Sequence, residues 1–281
     1  MSSVLIRCLT ALLAALVLWA PGRALAGDLL RVDFPGAHGG SIGFSVAGGG
    51  EVLTLGPAAA ELRKGVLRLG AETAKVLAVD PVSRVVVFRG VPGPVRGFAL
   101  AERSPSGGLL ALPSGGGRAR VEGPVERIDG KYLPFTLLKL RYGGESAVRG
   151  TPLLDAEGRV AAVALQASGG GAGLAVPVEV LARTLGEARR NGRVSRARLG
   201  LSLDPSVPVP RVRRTLEGSP AARAGLQAGD LLIEIGGLRV EDYGDAVNAF
   251  FLLRPGVATV VRVRRGAGER SIEVVPERGE P

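Results

Sequence analysis

The chain has 281 residues, a formal charge of +10, 4% aromatic residues, one histidine and one cysteine. A single cysteine rules out an internal disulfide, and one histidine beside it is too little for a Cys/His zinc centre. With so few aromatics there is little stacking surface for single-stranded nucleic acid, so a nucleic-acid partner is not expected despite the basic balance.

The first segment reads as a secretory signal. Arg7 supplies a positive start, residues 9–20 form an apolar run, and Ala24-Leu25-Ala26 offers a small-x-small cleavage site. The run is shorter than the ~20 residues of a spanning helix, and Pro21-Gly22 ends it. This predicts a signal peptide over residues 1–26, a mature chain from Gly27, and a periplasmic or secreted location. Cys8 leaves with it, as do Arg7 and Arg23, which lowers the formal charge by two to +8. The remaining ~255 residues suffice for two domains of ordinary size. Apart from Lys64, Lys75, Lys131 and Lys139 the positive charge is arginine, a balance that permits acidic partners.

From residue 42 to about 178 the pattern is short β-branched runs, at 42–46, 51–54, 65–69, 84–88 and 159–165. Glycine-rich breaks at 48–50, 115–117 and 169–171 fit hairpin ends, and the spacing predicts an all-β barrel or sandwich. None of the breaks follows a strand and opens a helix, as a phosphate-cradling loop must. A helix is expected over 178–191, with Val180, Leu181 and Leu185 on one stripe and Gly192 as its stop. A basic connector follows, placing a domain boundary near residue 193.

Beyond it the elements change. Leu199-Gly200-Leu201 enters a strand, and Ser219-Pro220 starts a short helix that Gly225 ends, with Ser219 as N-cap and Pro220 in the first helical position. A strand follows over 230–235, Gly236-Gly237 suits a tight hairpin turn, and a helix is expected over about 242–253. Two more strands, 259–264 and 271–275, close the sheet.

That order, with Ser-Pro-Ala-Ala-x-Ala-Gly-Leu-x-x-Gly-Asp over 219–230, resembles a PDZ domain of the bacterial HtrA/DegP type. Upstream, residues 42–54, 74–81, 150–160 and 173–177 resemble, in order, segments of the protease domain of the same family. The resemblance implies a mainly β protein: a degenerate trypsin-like double β-barrel over 27–192, then a C-terminal PDZ domain with its basic linker over 193–281.

Carried over by position, the resemblance also replaces each member of the protease triad. Thr-Leu-Gly-Pro-Ala-Ala at 54–59 stands where the family has Thr-Asn-Ala-His-Val-Val, so Pro57 occupies the place of the base. Arg84 falls at the orienting carboxylate, and Arg149 at the nucleophile. Acyl transfer needs a hydroxyl or thiol attacker, a base to take its proton and a group to orient the base; proline and arginine supply none of these. Ala147 also replaces a glycine near the expected oxyanion donors. His38 lies in a glycine-rich loop and reads as a surface histidine, and Ser146 is three residues from the nucleophile position. No catalytic residue, metal site or cofactor is therefore expected.

What the resemblance retains is binding. PDZ domains of this type add an extended peptide end to a sheet edge and hold its carboxylate on main-chain amides. Here the loop would be Arg198, Leu199 and Gly200, and the edge Leu201 to Leu203, with Leu201 and Leu203 on one face. The helix over 242–253 has two stripes, Ala246 with Phe250 and Leu253, and Val247 with Phe251; Val247 and Phe251 are assigned to the groove. The reading is of an exported, inactive adaptor or scaffold for protein C-termini or extended peptides. The alternatives are an active serine endopeptidase with non-standard residues and a regulatory subunit of an active HtrA-type protease. An acidic partner and a homo-oligomer also stay open.

Overall fold

In the computed structural model, which describes residues 29–35, 40–58, 61–69, 72–89, 97–113, 117–204, 207 and 209–279, the strands named below pair antiparallel throughout. The expected signal peptide and His38 lie outside the described residues.

The first lobe is a seven-stranded sheet of β1 (Leu29–Asp33), β2 (Ser41–Ser45), β3 (Val52–Leu55), β4 (Val66–Leu69), β5 (Glu72–Ala74), β6 (Val76–Asp80) and β7 (Val85–Phe88), in the order β5-β4-β1-β2-β3-β7-β6. Its ladder does not close between β5 and β6 among the described residues. The central strands β3 and β7 are buried at every position, and the two-residue period divides them between two cores. Val52, Val86 and Phe88 fill the inside of the lobe with Val32, Phe34 and Leu67. Leu53, Leu55, Val85 and Val87 point the other way, into a core shared with the second lobe. Burial on both faces explains why these strands read as continuous apolar runs.

The second lobe is a closed barrel of β8 (Gly108–Ala111), β9 (Arg118–Ile128), β10 (Lys131–Tyr142), β11 (Pro152–Leu154), β12 (Val160–Ala167) and β13 (Ala172–Pro177), in the order β10-β13-β12-β11-β8-β9. The long hairpin β9-β10 was not expected from the sequence. It turns at Asp129-Gly130, both with positive φ, as a two-residue hairpin of type I′ requires. Gly123, Pro124 and Pro134 interrupt its pattern, and the register slips between Tyr132 and Leu137.

Helix α1 (Val178–Asn191) spans the expected residues and ends on Gly192, in the left-handed region at φ 62. Its inner stripe of Val180, Leu181 and Leu185 seals the shared core. Arg189 donates to both carboxylate oxygens of Glu51, at 2.9 and 2.7 Å, which ties the helix to the first lobe.

The C-terminal part contains β14 (Ala197–Arg198), β15 (Leu201–Leu203), β16 (Val212–Thr215), α2 (Pro220–Arg223), β17 (Leu231–Ile235), β18 (Leu238–Arg239), α3 (Tyr243–Leu252), β19 (Thr259–Arg265), β20 (Gly268–Val274) and β21 (Glu277–Arg278). Its main sheet runs β18-β17-β19-β20, with β15-β16 and β14-β21 as separate pairs. Ser219 caps α2 by accepting from the Ala222 N–H, and Gly236 and Gly237 take positive φ at the β17-β18 turn. Burial would raise the Asp230 carboxyl, but hydrogen bonds from Arg265 at 2.6 and 2.7 Å and from the Gln227 N–H outweigh it and hold the group below its usual range. No helix among the described residues is long and apolar enough to cross a membrane.

One buried cluster joins these parts. Asp80, at the end of β6, and Arg183, on α1, are each 1% exposed by side chain, with Arg183 Nη1 3.7 Å from Asp80 Oδ2. Arg196, in the connector, reaches Asp80 Oδ1 at 2.7 Å. Arg183 also donates to the carbonyls of Ser195, at 2.6 Å, and Leu253, at 3.3 Å. Both guanidinium groups lie over the Phe251 ring, at 5.2 and 4.1 Å from its centroid, and that ring packs on Phe135 of β10 at 4.7 Å. Burial, followed by repulsion from Arg196, lowers the Arg183 pKa, while Asp80 and Glu187 oppose the shift.

Asp80→Ala leaves two guanidinium groups facing each other with no carboxylate between them. Breaking a buried pair in this way costs about 3–5 kcal/mol. Urea unfolding should show that loss, whereas Phe251→Ala, which keeps the ion pairs, should lose only the ring's apolar packing and its contacts with the two guanidinium groups. A loss below about 1 kcal/mol, the value of an exposed pair, would show that the cluster does not hold the domains.

Candidate functional site

Two places draw the candidate residues together. The first is the junction of the lobes. The Gly56 N–H donates to the Arg84 carbonyl at 2.9 Å, which sets Pro57, buried, beside the start of β7. On β2, the Ile42 N–H donates to the Arg149 carbonyl at 2.8 Å, and the Ile42 carbonyl accepts from Thr54 Oγ1 at 2.7 Å. Ile42 thus fastens the turn bearing Arg149 to the strand leading to Pro57. Gly150 makes the contact possible: its φ is +86, and a Cβ there would collide with the Ile42 carbonyl oxygen.

Arg84 is half-buried with φ 60, in the left-handed region. Burial first, then repulsion from Arg149, lowers its pKa, and Arg149 Nε is buried with no hydrogen-bond partner. Pro57, Arg84 and Arg149 are therefore assembled at one junction. Two of the three are cations and the third has no titratable group, so this trio offers neither a base nor a nucleophile.

The second place is a cleft of about 440 Å³ in the C-terminal part. Arg198, Leu199, Gly200, Leu201 and Leu203 form one side, and Tyr243, Val247 and Phe250 of α3 form the other. Gly200 sits at φ +72, and a Cβ there would collide with Ser219. Its carbonyl accepts from the Leu216 N–H at 2.7 Å and from Ser219 Oγ at 3.1 Å, while the Leu199 carbonyl accepts from the Ala221 N–H at 2.8 Å. These bonds lock the loop against α2. Among the described residues strand β15 pairs only with β16, which leaves its other edge, lining the cleft with α3, outside any strand ladder. Ser202 Oγ, also lining the cleft, is buried without a partner.

The assignment of Phe251 to the groove is corrected by the structure. Phe251 is 8% exposed and belongs to the core shared with the lobes, while Phe250 lines the cleft with Val247. The helix meets three surroundings, where its sequence shows two stripes. Ala246, Ala249 and Leu253 enter the core beneath, and Tyr243, Val247 and Phe250 face the cleft. Asn248 and Phe251 face the second lobe, where Asn248 Oδ1 accepts from the Thr136 N–H at 3.1 Å. The i, i+4, i+7 spacing of Tyr243, Val247 and Phe250 was the available signal for the cleft-facing stripe.

Comparison with known proteins places this geometry. Residues 211–265 match the family model of a PDZ domain. Over 133 residues, 41% of this chain, the sequence is 32% identical to a "probable periplasmic serine endoprotease DegP-like" of Chlamydia muridarum, covering 27% of that protein. A protein of the same description from Ectopseudomonas mendocina is 26% identical over 275 residues, which is 85% of this chain and 57% of that one. The chain thus spans between about a quarter and somewhat over half of the curated relatives it matches. Among solved structures, the HtrA-type protease AlgW with a tripeptide superposes with a TM-score of 0.61 at 17% identity, covering 91% of this chain and 95% of that one. The serine endoprotease from Yersinia pestis gives 0.54 at 16% identity, covering 91% and 96%.

At the N-terminus of α3, carboxylate oxygens of Glu126, Asp242 and Asp245 lie within 4.8 Å of one another, a set that could hold a cation. Asp242 accepts from the Asp245 N–H at 3.0 Å and Asp245 from the Glu241 N–H at 2.9 Å, so two of the three act as helix caps. Glu126 reaches across from β9. Burial, then repulsion from Asp242 and Asp245, raises its pKa, with Arg127 opposing. A raised carboxyl gives stability that is complete below its unfolded pKa, about 4.3, and is lost as pH rises through the folded value. Relative to the parent, Glu126→Gln should therefore gain stability as pH rises across that window; paired thermal melts from about pH 4 to 7 check this, and parallel curves would contradict it.

Proposed function

Since this chain is an HtrA/DegP-like family member, we propose that it is an exported, catalytically inactive one that acts as an adaptor or scaffold, holding protein C-termini or extended peptides in its PDZ domain. The observation that carries this is the cleft between the free edge of β15 and the stripe Tyr243-Val247-Phe250. An extended peptide adds to that edge through main-chain hydrogen bonds, and its alternate side chains meet an apolar wall. The loop of Arg198, Leu199 and Gly200, locked on α2, offers main-chain N–H groups for a terminal carboxylate, and Arg198 adds positive charge at the mouth.

Inactivity rests on Pro57, Arg84 and Arg149 occupying the places of base, orienting group and nucleophile. The periplasmic description of the relatives supports export, with residues 1–26 as the signal, 27–192 as the protease-type part and 193–281 as the PDZ domain with its linker. Because those relatives are named serine endoproteases, a second reading keeps an activity that uses other residues. Pairing with an active HtrA-type protease or with further copies of this chain is compatible with the adaptor role.

Fluorescence anisotropy with labelled peptides ending in apolar residues should show saturable binding. Phe250→Ala should weaken it by at least about tenfold, ~1.4 kcal/mol, and Gly200→Leu should abolish it. Phe250→Ala removes side-chain surface without the collision that Gly200→Leu introduces, so it separates lost contact from lost folding. Absence of binding across a diverse peptide library would overturn the adaptor reading. Casein should remain intact; cleavage that survives Arg149→Ala would favour the enzymatic one.

A further inference from the structure

Beside the lobe junction lies a smaller cavity, of about 210 Å³, between the turn joining β6 to β7 and the strands β10, β12 and β13. Leu133, Phe135, Leu165 and Leu174 give it apolar walls, while Ser83, Arg84 and Gln166 supply its polar groups. Ser83 is 2% exposed and its Oγ has no hydrogen-bond partner. A buried hydroxyl without a partner is unfavourable, and Ser83 is one of the residues lining the cavity. Next to it the Arg84 guanidinium makes no ion pair among the described residues, and the nearby charge it feels is another cation, Arg149. The left-handed backbone at Arg84, uncommon for a residue with a Cβ, fixes where that side chain starts.

A lining arginine and its neighbour Arg149, neither with a counterion among the described residues, an unsatisfied hydroxyl and an apolar wall define a complementary ligand. We propose that this cavity binds a small monocarboxylate with a short apolar body. Its carboxylate accepts hydrogen bonds from the Arg84 guanidinium and from Ser83 Oγ, and its body lies against Leu133, Phe135 and Leu165. A planar guanidinium matches a carboxylate better than a compact point charge would. The volume is below the ~300 Å³ where drug-sized pockets begin and equals about seven waters at liquid density, which fits an acid of about five or six carbons. The same group occurs free in solution and at the end of a peptide terminating in leucine. The site is separate from the PDZ cleft and does not depend on the adaptor reading.

The test is isothermal titration of the full chain with 4-methylpentanoate, and in parallel with N-acetyl-Ala-Ala-Leu. Binding of the free acid alone identifies a free small acid, and binding of the peptide at this site identifies a C-terminal residue. In either case affinity should fall at least tenfold in Arg84→Gly, whose glycine accepts the positive φ, and also in Ser83→Ala, and it should persist in Phe250→Ala, which damages only the PDZ cleft. Circular dichroism of each variant checks the fold. The proposal is overturned if neither probe binds, if binding is unchanged in both Arg84→Gly and Ser83→Ala, or if it disappears in Phe250→Ala. It is equally overturned if 4-methylpentanamide or inorganic phosphate binds as tightly as the acid, since the first lacks the charge and the second the apolar body.

Discussion

The arrangement of this molecule depends on the buried contact of Asp80 with Arg183 and Arg196. One carboxylate from the first lobe faces a cation on α1 and another in the connector. A lone carboxylate at that depth would be strongly unfavourable, and so would either guanidinium. Each group can therefore be buried only when the other chain segments arrive. The Phe251 ring under both guanidinium groups and the Leu253 carbonyl that accepts from Arg183 extend the same requirement to α3. Both lobes and the PDZ domain are thereby joined by charge satisfaction as well as by apolar packing.

That coupling has a consequence for binding. Helix α3 forms one wall of the cleft with Tyr243, Val247 and Phe250, while Phe251 and Asn248 on its other side hold the second lobe. The helix that lines the cleft is thus the helix that docks the domain, so its position is fixed from both sides. At the lobe junction, Ile42 and Gly150 hold the turn of Arg149 against β2, with side chains that cannot perform acyl transfer. The geometry of this junction rests on backbone hydrogen bonds and one glycine, so it does not depend on which side chains the turn carries.

Much of this was legible in the sequence. Helix α1 with its stop at Gly192, the Ser219 cap, the Gly236-Gly237 turn and the β-branched strands are local features, set by propensity, capping and turn chemistry within a few residues. The long hairpin β9-β10 escaped because Pro124 and Pro134 break its alternation, and only pairing with β8 and β13 sustains it. Phe251 escaped because a stripe on a helix shows that a face is apolar and not which neighbour covers it.

By itself the sequence determined helix α1 with its stop, the short β-branched strands and the PDZ signature, because these follow from residue type and spacing along the chain. Tertiary structure alone decided that Asp80 serves Arg183 and Arg196, that Phe250 rather than Phe251 lines the cleft, and that Ser83 and Arg84 border a cavity without partners. Those outcomes depend on which surfaces meet between segments far apart in the chain, 116 residues for Arg196 and Asp80, and burial, charge satisfaction and steric fit are settled only when they do.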